Sequence, residues 1–247
     1  MRIEAEDVDD IPGAIEASLE QSLKRLQLDG IALFQLHNHI GEGVGGRLTL
    51  TPDQVLGRGG VADTFDRLKS QGLFAASGIT VAGDTQACLE VIDSGRFDCA
   101  QVYYNAINPS AAWTRVPRDW TGQDFGGVIA ACFRLNMGVL NIRVWAGGAL
   151  ASPNRPAGLF MMTTGTDLDN EMRCAAAVRQ VLGDGYGTPA QAALRFVLGN
   201  RDVTSRVVGI SDLKQLEEAF AAVAQGPLPT AAVSKLEELW ANGFKPG

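Results

Sequence analysis

Two histidines stand two residues apart in the segment Gln35-Leu36-His37-Asn38-His39, and the 247-residue chain has no others. An imidazole titrates near neutral pH and carries a donor and an acceptor on one ring, so it can orient or protonate a substrate oxygen. The apolar run at 31–37, IALFQLH, ends on His37. That is where parallel α/β folds build their sites, at the carboxyl ends of strands. Alternation along the strand turns His37 to the face opposite Leu36. His39 lies beyond the strand end, where side chains are commonly solvated. A His-x-His pair at a strand end also fits a metal-dependent hydrolase. Such a centre draws further His, Lys or Asp ligands from later strand ends, and no later histidine exists. His37 is therefore a candidate catalytic residue, and no metal site is expected.

Gly41, Gly43 and Gly46 match G-x-G-x-x-G after a strand. A dinucleotide fingerprint must open a helix so that its N-terminus faces the pyrophosphate, and here residues 47–51 intervene before the helix signal at Pro52. The stretch reads as a loop. No P-loop, G-x-S-x-G elbow or H-E-x-x-H is present. The four cysteines, Cys88, Cys99, Cys132 and Cys174, lack C-x-x-C spacing and sit in apolar or helical surroundings, so buried free thiols are expected.

The elements that must position His37 alternate regularly. Apolar, β-branched runs at 31–37, 73–80, 97–104, 138–145 and 204–211 are each followed by a segment of helical periodicity. Alternation of this kind implies a parallel sheet covered by helices. The chain enters on a helix over 14–26, with Ile15, Leu19, Leu23 and Leu26 at helical spacing, and residues 1–3 read as the stump of a preceding strand. Thr51-Pro52-Asp53 opens a helix that continues through Phe65 and Leu68 to Gly72. Asp84 opens another that ends at Gly95, and Thr188-Pro189 a third that ends at Gly199. Residues 146–167, rich in Gly, Pro and Thr, read as a mobile loop over a site.

Composition fits one α/β domain over 1–247, with 46% hydrophobic residues and no linker-like tract. The net charge of -7 has no offsetting Lys/Arg cluster, which argues against nucleic acid and anionic membranes as partners. No apolar stretch is long enough to span a bilayer, and the acidic start MRIEAEDVDD is unlike a signal peptide, so a cytosolic location is expected.

In this order the elements resemble those of the aldo/keto reductases, NAD(P)H-dependent oxidoreductases on a (β/α)₈ barrel. Ser18-Leu19-Glu20-Gln21-Ser22-Leu23-Lys24-Arg25-Leu26 followed by the strand ending in His37 is similar to the family's helix-strand signature, with Ala32 at a usual Asp position. The segment 65–80 (FDRLKSQGLFAASGIT), then Gln101-Val102-Tyr103-Tyr104-Asn105, then 138–150 (GVLNIRVWAGGAL), 189–198 (PAQAALRFVL) and Val207-Val208-Gly209 continue it in family order. The resemblance implies the C-terminal five-eighths of the barrel, an α/β fold of about five parallel strands with outer helices. It also implies a small-molecule carbonyl or alcohol as substrate and NADP or NAD as cofactor, NADP slightly preferred, with the choice left open by Gln215 where some relatives place an Arg for the 2′-phosphate and by Ala219 in place of a frequent Asn.

Of the family's catalytic groups, the resemblance assigns only the carbonyl-orienting histidine to this chain, as His37. The general-acid Tyr and its Asp and Lys partners belong to earlier strands, and Tyr103 and Tyr104 are no substitutes. The cofactor half is matched further: Thr80 and Gln101 for the nicotinamide carboxamide, and Ile142 where many members stack a Tyr on the ring. Arg143 and Gly147, in the loop 143–148, match the pyrophosphate wrap, and Gly209, Ser211, Gln215 and Glu218 the adenosine end. An Arg beside glycines suits phosphate through its forked donors and close backbone approach, though pairing with a surface carboxylate is an equal reading of Arg143. The competing class is a nucleotide- or partner-binding protein without chemistry. It is separated from the reductase by whether a Tyr, Lys and Asp of the family kind are encoded upstream of Met1.

Overall fold

The computed structural model describes residues 1–42, 49–154 and 163–245. In chain order its helices and strands are α1 (Ile11–Leu26), β1 (Ile31–Leu36), β2 (His39–Ile40), β3 (Thr49–Leu50), α2 (Pro52–Leu56), α3 (Val61–Ser70), β4 (Phe74–Thr80), α4 (Thr85–Asp93), β5 (Cys99–Tyr103) and α5 (Val128–Arg134). They continue as β6 (Gly138–Ile142), α6 (Leu168–Leu182), α7 (Pro189–Leu198), β7 (Ser205–Arg206), α8 (Leu213–Gln225) and α9 (Thr230–Ala241). Five strands form one parallel sheet in the order β1-β4-β5-β6-β7, and β2 pairs with β3 apart from it. The expected α/β class and sequential order are thus what the chain adopts. The chain divides into two compact units, Met1–Val102 with Ala130–Val139, and Tyr103–Ile129 with Leu140–Gly247.

In the first unit β1 pairs with β4 in the register Leu36↔Ile79, and β4 with β5 in the register Thr80↔Gln101. Phe34, Phe65, Phe74 and Phe97 pack behind these strands at centroid separations of 5.3 to 6.1 Å, in tilted and edge-on pairs. Residues 1–3 form no strand, but they hydrogen-bond beside the end of β1. The Met1 amino group donates to Gln35 O, and His37 N–H to Met1 O at 2.8 Å. The Asn38 amide brackets Ile3, accepting from its N–H at 2.9 Å and donating to its carbonyl at 2.8 Å. Helix α1 begins three residues earlier than its periodicity indicates, because Asp10 caps Gly13 N–H and Pro12 occupies the first turn. The helix expected from Pro52 to Gly72 is two helices. Thr51 and Gln54 close a reciprocal capping box, but Gly57-Arg58-Gly59-Gly60 interrupts the run, each glycine costing a helix roughly 1 kcal/mol relative to alanine.

In the second unit Thr188 and Gln191 form a further capping box at the start of α7, and Asp212 caps α8 through Gln215 N–H at 2.9 Å. The last strand is far shorter than the expected 204–211. Arg206 spends its guanidinium on the carbonyls of Val197, Leu198 and Asn200, closing the end of α7, and the ladder stops there. The core gathers Tyr104, Phe196, Trp113 and Trp240, and the Trp240 indole N–H donates to Ala106 O at 2.8 Å. Helix α8 buries only Ala219 and Ala222, while Leu213, Leu216, Phe220 and Val223 are exposed. No described helix is long and apolar enough to cross a membrane.

All four cysteines are free and buried. Burial pushes the Cys88 and Cys132 thiols up to about 12, and those of Cys99 and Cys174 up to about 11, from an ordinary 9.0. A thiol exposed by unfolding loses its proton first, so above pH 9 the unfolded state binds fewer protons than the folded one. Folding stability should therefore fall as pH rises through 9 toward 11 to 12, by about 1.4 kcal/mol per pH unit for each thiol. Denaturant melts from pH 8 to 10.5 check this, and a flat profile would show that the thiols titrate normally in the fold.

Candidate functional site

The first unit builds a polar row across three strand ends. With Leu36 opposite Ile79, one further residue brings His37 level with Thr80, and Thr80 lies opposite Gln101. The His37 Nδ1 and Thr80 Oγ1 are 2.9 Å apart, and the Thr80 hydroxyl donates to Gln101 Oε1 at 3.1 Å. Gln101 Nε2 then donates to Gln35 Oε1 at 3.2 Å, and Gln35 Nε2 reaches Cys99 Sγ at 3.6 Å. Thr80 has one hydroxyl proton and gives it to Gln101. The His37 contact must then run from Nδ1–H to Thr80 Oγ1, which fixes the tautomer whose lone pair sits on Nε2. Thr80 is buried to 1% exposure while His37 is exposed, so a fixed hydroxyl holds an accessible ring.

Gln35 completes this row and was not among the residues singled out from the sequence. The signal was there: Gln35 lies two residues before His37, on the same face of a strand. Gly78 makes room for it, since a Cβ at that position would lie 2.6 Å from Cys99 Sγ and 2.8 Å from Gln35 Nε2. His39 falls outside the row. It sits in the short β2 pair, opposite Thr49. Gly43 and Gly46 of the glycine motif, and residues 155–162 of the long loop, lie outside the described residues.

The second unit holds a cleft of about 860 Å³ whose walls include Arg143, Gly147, Gly209, Ser211, Gln215 and Glu218. Ile142 ends β6 just before it. Arg143 is left-handed, with φ of +60°. Gly147 follows with φ of +66°, a conformation that suits glycine and lets backbone approach a ligand. Opposite, the Gln215 side chain accepts from Ser211 N–H at 3.0 Å. The Thr188 hydroxyl donates to the Glu218 carboxylate, and Gln191 Nε2 donates to the Glu218 carbonyl at 3.3 Å. These polar groups fit a nucleotide: a guanidinium beside open glycine backbone for phosphate, and an amide and a carboxylate for ribose and base. No atom lies within 4 Å of a Cβ built at Gly209, so that wall is open to a ligand.

Both tyrosines at the end of β5 are buried. Tyr103 is buried, its hydroxyl donates to Glu171 Oε1 at 3.2 Å, and burial pushes its pKa above the usual tyrosine value. Tyr104 packs on Phe196 at 5.2 Å, and burial pushes it up to about 12. Among the described residues no group of three or more His, Cys, Asp or Glu is placed to hold a metal ion.

A parallel β/α sheet in sequence order, with polar residues gathered at its strand ends, is the architecture of (β/α)-barrel proteins. The aldo/keto reductase family matches residues 1–241, and the chain belongs to that family. Among curated proteins it is similar to aflatoxin B1 aldehyde reductase member 2 of Rattus norvegicus, 24% identical over 259 residues, covering 93% of this chain and 63% of the rat protein. The Homo sapiens protein of that name is 23% identical over 255 residues, covering 93% of this chain and 65% of its own. The chain thus spans just under two thirds of the length of these relatives. Among solved structures, the holo form of aldo-keto reductase AKR11C1 from Bacillus halodurans superposes with a TM-score of 0.65 at 20% identity, covering 92% of this chain and 67% of that one. That is a likeness of fold.

Replacing Thr80 by Val keeps the shape and removes the oxygen that anchors His37. The expected cost is about 1 to 2 kcal/mol of stability, together with loss of the Nδ1–H tautomer preference. Nitrogen-15 imidazole spectra of the wild type and Thr80→Val report it. An unchanged tautomer ratio would show that Thr80 does not set the ring.

Proposed function

We infer that this chain acts as the histidine-bearing and nucleotide-binding part of an NAD(P)H-dependent carbonyl reductase, interconverting a small aldehyde or ketone with its alcohol. The reading is supported above all by the hydrogen-bonded row His37–Thr80–Gln101–Gln35, which holds one accessible imidazole in one tautomer at a strand end. Family membership and the Arg143 cleft support the cofactor half.

When bound, a reduced nicotinamide cofactor supplies the hydride. The protein's part is orientation and charge. His37 commits Nδ1–H to Thr80, so Nε2 is the atom that accepts a hydroxyl proton from the alcohol or, as imidazolium, donates to the carbonyl oxygen. Gln101 offers an amide that both donates and accepts for a carboxamide, and Ile142 an apolar surface. Arg143 and the backbone around Gly147 hold the pyrophosphate, and Ser211, Gln215 and Glu218 the adenosine end. NADP is proposed ahead of NAD.

General-acid catalysis is worth typically ~10²- to 10⁴-fold, and the resemblance assigns the family's acid to strands preceding those matched here. The 247-residue chain is expected to bind NADPH more tightly than NADH and to reduce carbonyls at about the background rate. Nucleotide absorbance with a panel of aldehydes and ketones, beside direct titration of both nucleotides, provides the test. Robust turnover by the 247-residue chain that His37→Ala abolishes would refute this division of labour, and failure to bind either nucleotide would refute the cofactor reading.

A further inference from the structure

Arg143 lines the nucleotide cleft in a conformation that residues other than glycine seldom adopt, at φ of +60°. Something must hold it there, because left to itself this backbone returns to the right-handed or extended regions. Its carbonyl accepts two bonds, one from the Ala146 N–H at 2.8 Å across the turn 143–146 and one from a buried side chain. Asn105, 0% exposed, donates from Nδ2 to Arg143 O at 2.9 Å. Its Oδ1 accepts from the N–H groups of Ile107 at 3.1 Å and Asn108 at 3.0 Å. These three bonds use both acceptor sites of the carboxamide and one of its two donors. Rotation of Asn105 would leave the Ile107 N–H unpaired and take away one of the two donors on the Arg143 carbonyl.

We propose that Asn105 is a positioning residue for phosphate binding: its amide holds Arg143 in the left-handed conformation in which it lines the cleft. The proposal rests on the reading of that cleft as a nucleotide site. Asn105 touches no ligand itself and acts through Arg143 alone. An aspartate has the same shape and keeps the acceptor for Ile107 and Asn108 but presents an oxygen to the Arg143 carbonyl, where a donor is needed. A glycine at 143 adopts positive φ freely and has no guanidinium to position.

The test is a double-mutant cycle on the full chain, with NADPH as the probe, titrated by calorimetry. Arg143→Gly should weaken NADPH about tenfold or more, and Asn105→Asp about five- to tenfold, the population lost when a residue is no longer held left-handed. Asn105→Asp added to Arg143→Gly should change the affinity less than about twofold, since no positioned side chain remains to lose. Equal losses from Asn105→Asp in both backgrounds, or none in either while Arg143→Gly weakens binding, would overturn the proposal and leave the cleft reading standing. No loss from Arg143→Gly would overturn both. If Asn105→Asp does not fold, the thermal midpoint of Arg143→Gly decides. It should stay level or rise by about 2 °C as strain is released, and a fall of several degrees would show that Arg143 was not held against its preference.

Discussion

The parallel register of the first three sheet strands is the constraint on which the first half of the site depends. Parallel ladders fix which residues share a row, and a slip of one residue turns every side chain to the other face. Leu36 opposite Ile79 and Thr80 opposite Gln101 place an imidazole, a hydroxyl and an amide in one line at the strand ends. The register is itself held by burial: Phe34, Leu36 and Ile79 are at most 4% exposed, so a slip would carry large apolar side chains to the polar face. The polar row and the apolar layer are two consequences of one alternation. The missing side chain at Gly78 lets the Gln35 amide close the row.

The second unit solves its positioning problem with side-chain amides and a guanidinium where the backbone ladder ends. Asn141 Nδ2 donates to the Tyr104 and Ile142 carbonyls at 2.8 and 3.0 Å, and Asn105 serves Arg143 and the turn at 107–108. Arg206 does the same for the carbonyls that end α7. Carbonyls at strand and helix ends need donors that the ladder no longer supplies. A buried amide provides them in fixed geometry, so irregular backbone beside a cleft is kept in one shape.

Much of this was legible in the sequence, for identifiable reasons. Short apolar, β-branched runs gave the strands because parallel strands in a β/α alternation read as near-continuous hydrophobic segments, and Thr-Pro with Gln three residues on marked two helix starts by a local mechanism. Long-range pairings were not legible. The Asn105–Arg143 bond spans 38 residues, and no local pattern announces that an amide in one connection will hold a left-handed residue in another. The shortness of β7 was hidden for the same reason, because Thr204 to Ser211 is as β-like as the other runs and only the use of Arg206 at the end of α7 ends the ladder. The break in the helix after Leu56 was written in its glycines and was outweighed by the apolar periodicity that continues past them.

Helix α8 forms the wall of the cleft that carries Gln215 and Glu218, and it is held unlike the others. Its large apolar side chains, Leu213, Leu216, Phe220 and Val223, are exposed, and only two alanines are buried. Two alanines offer little apolar area, at roughly 25 cal/mol per Å² buried, so the attachment leans on polar bonds. Thr188 and Gln191 at the start of α7 grip Glu218, and Arg195 donates to the Gly226 carbonyl just beyond the helix at 2.9 Å. Bonds of this kind, half-exposed and each worth about 1 kcal/mol net, place α8 at the less stable end of the unit's range of local openings. A ligand that touches both Arg143 and the α8 wall would add to the same few bonds. Binding of such a ligand and the local order of α8 would therefore be coupled.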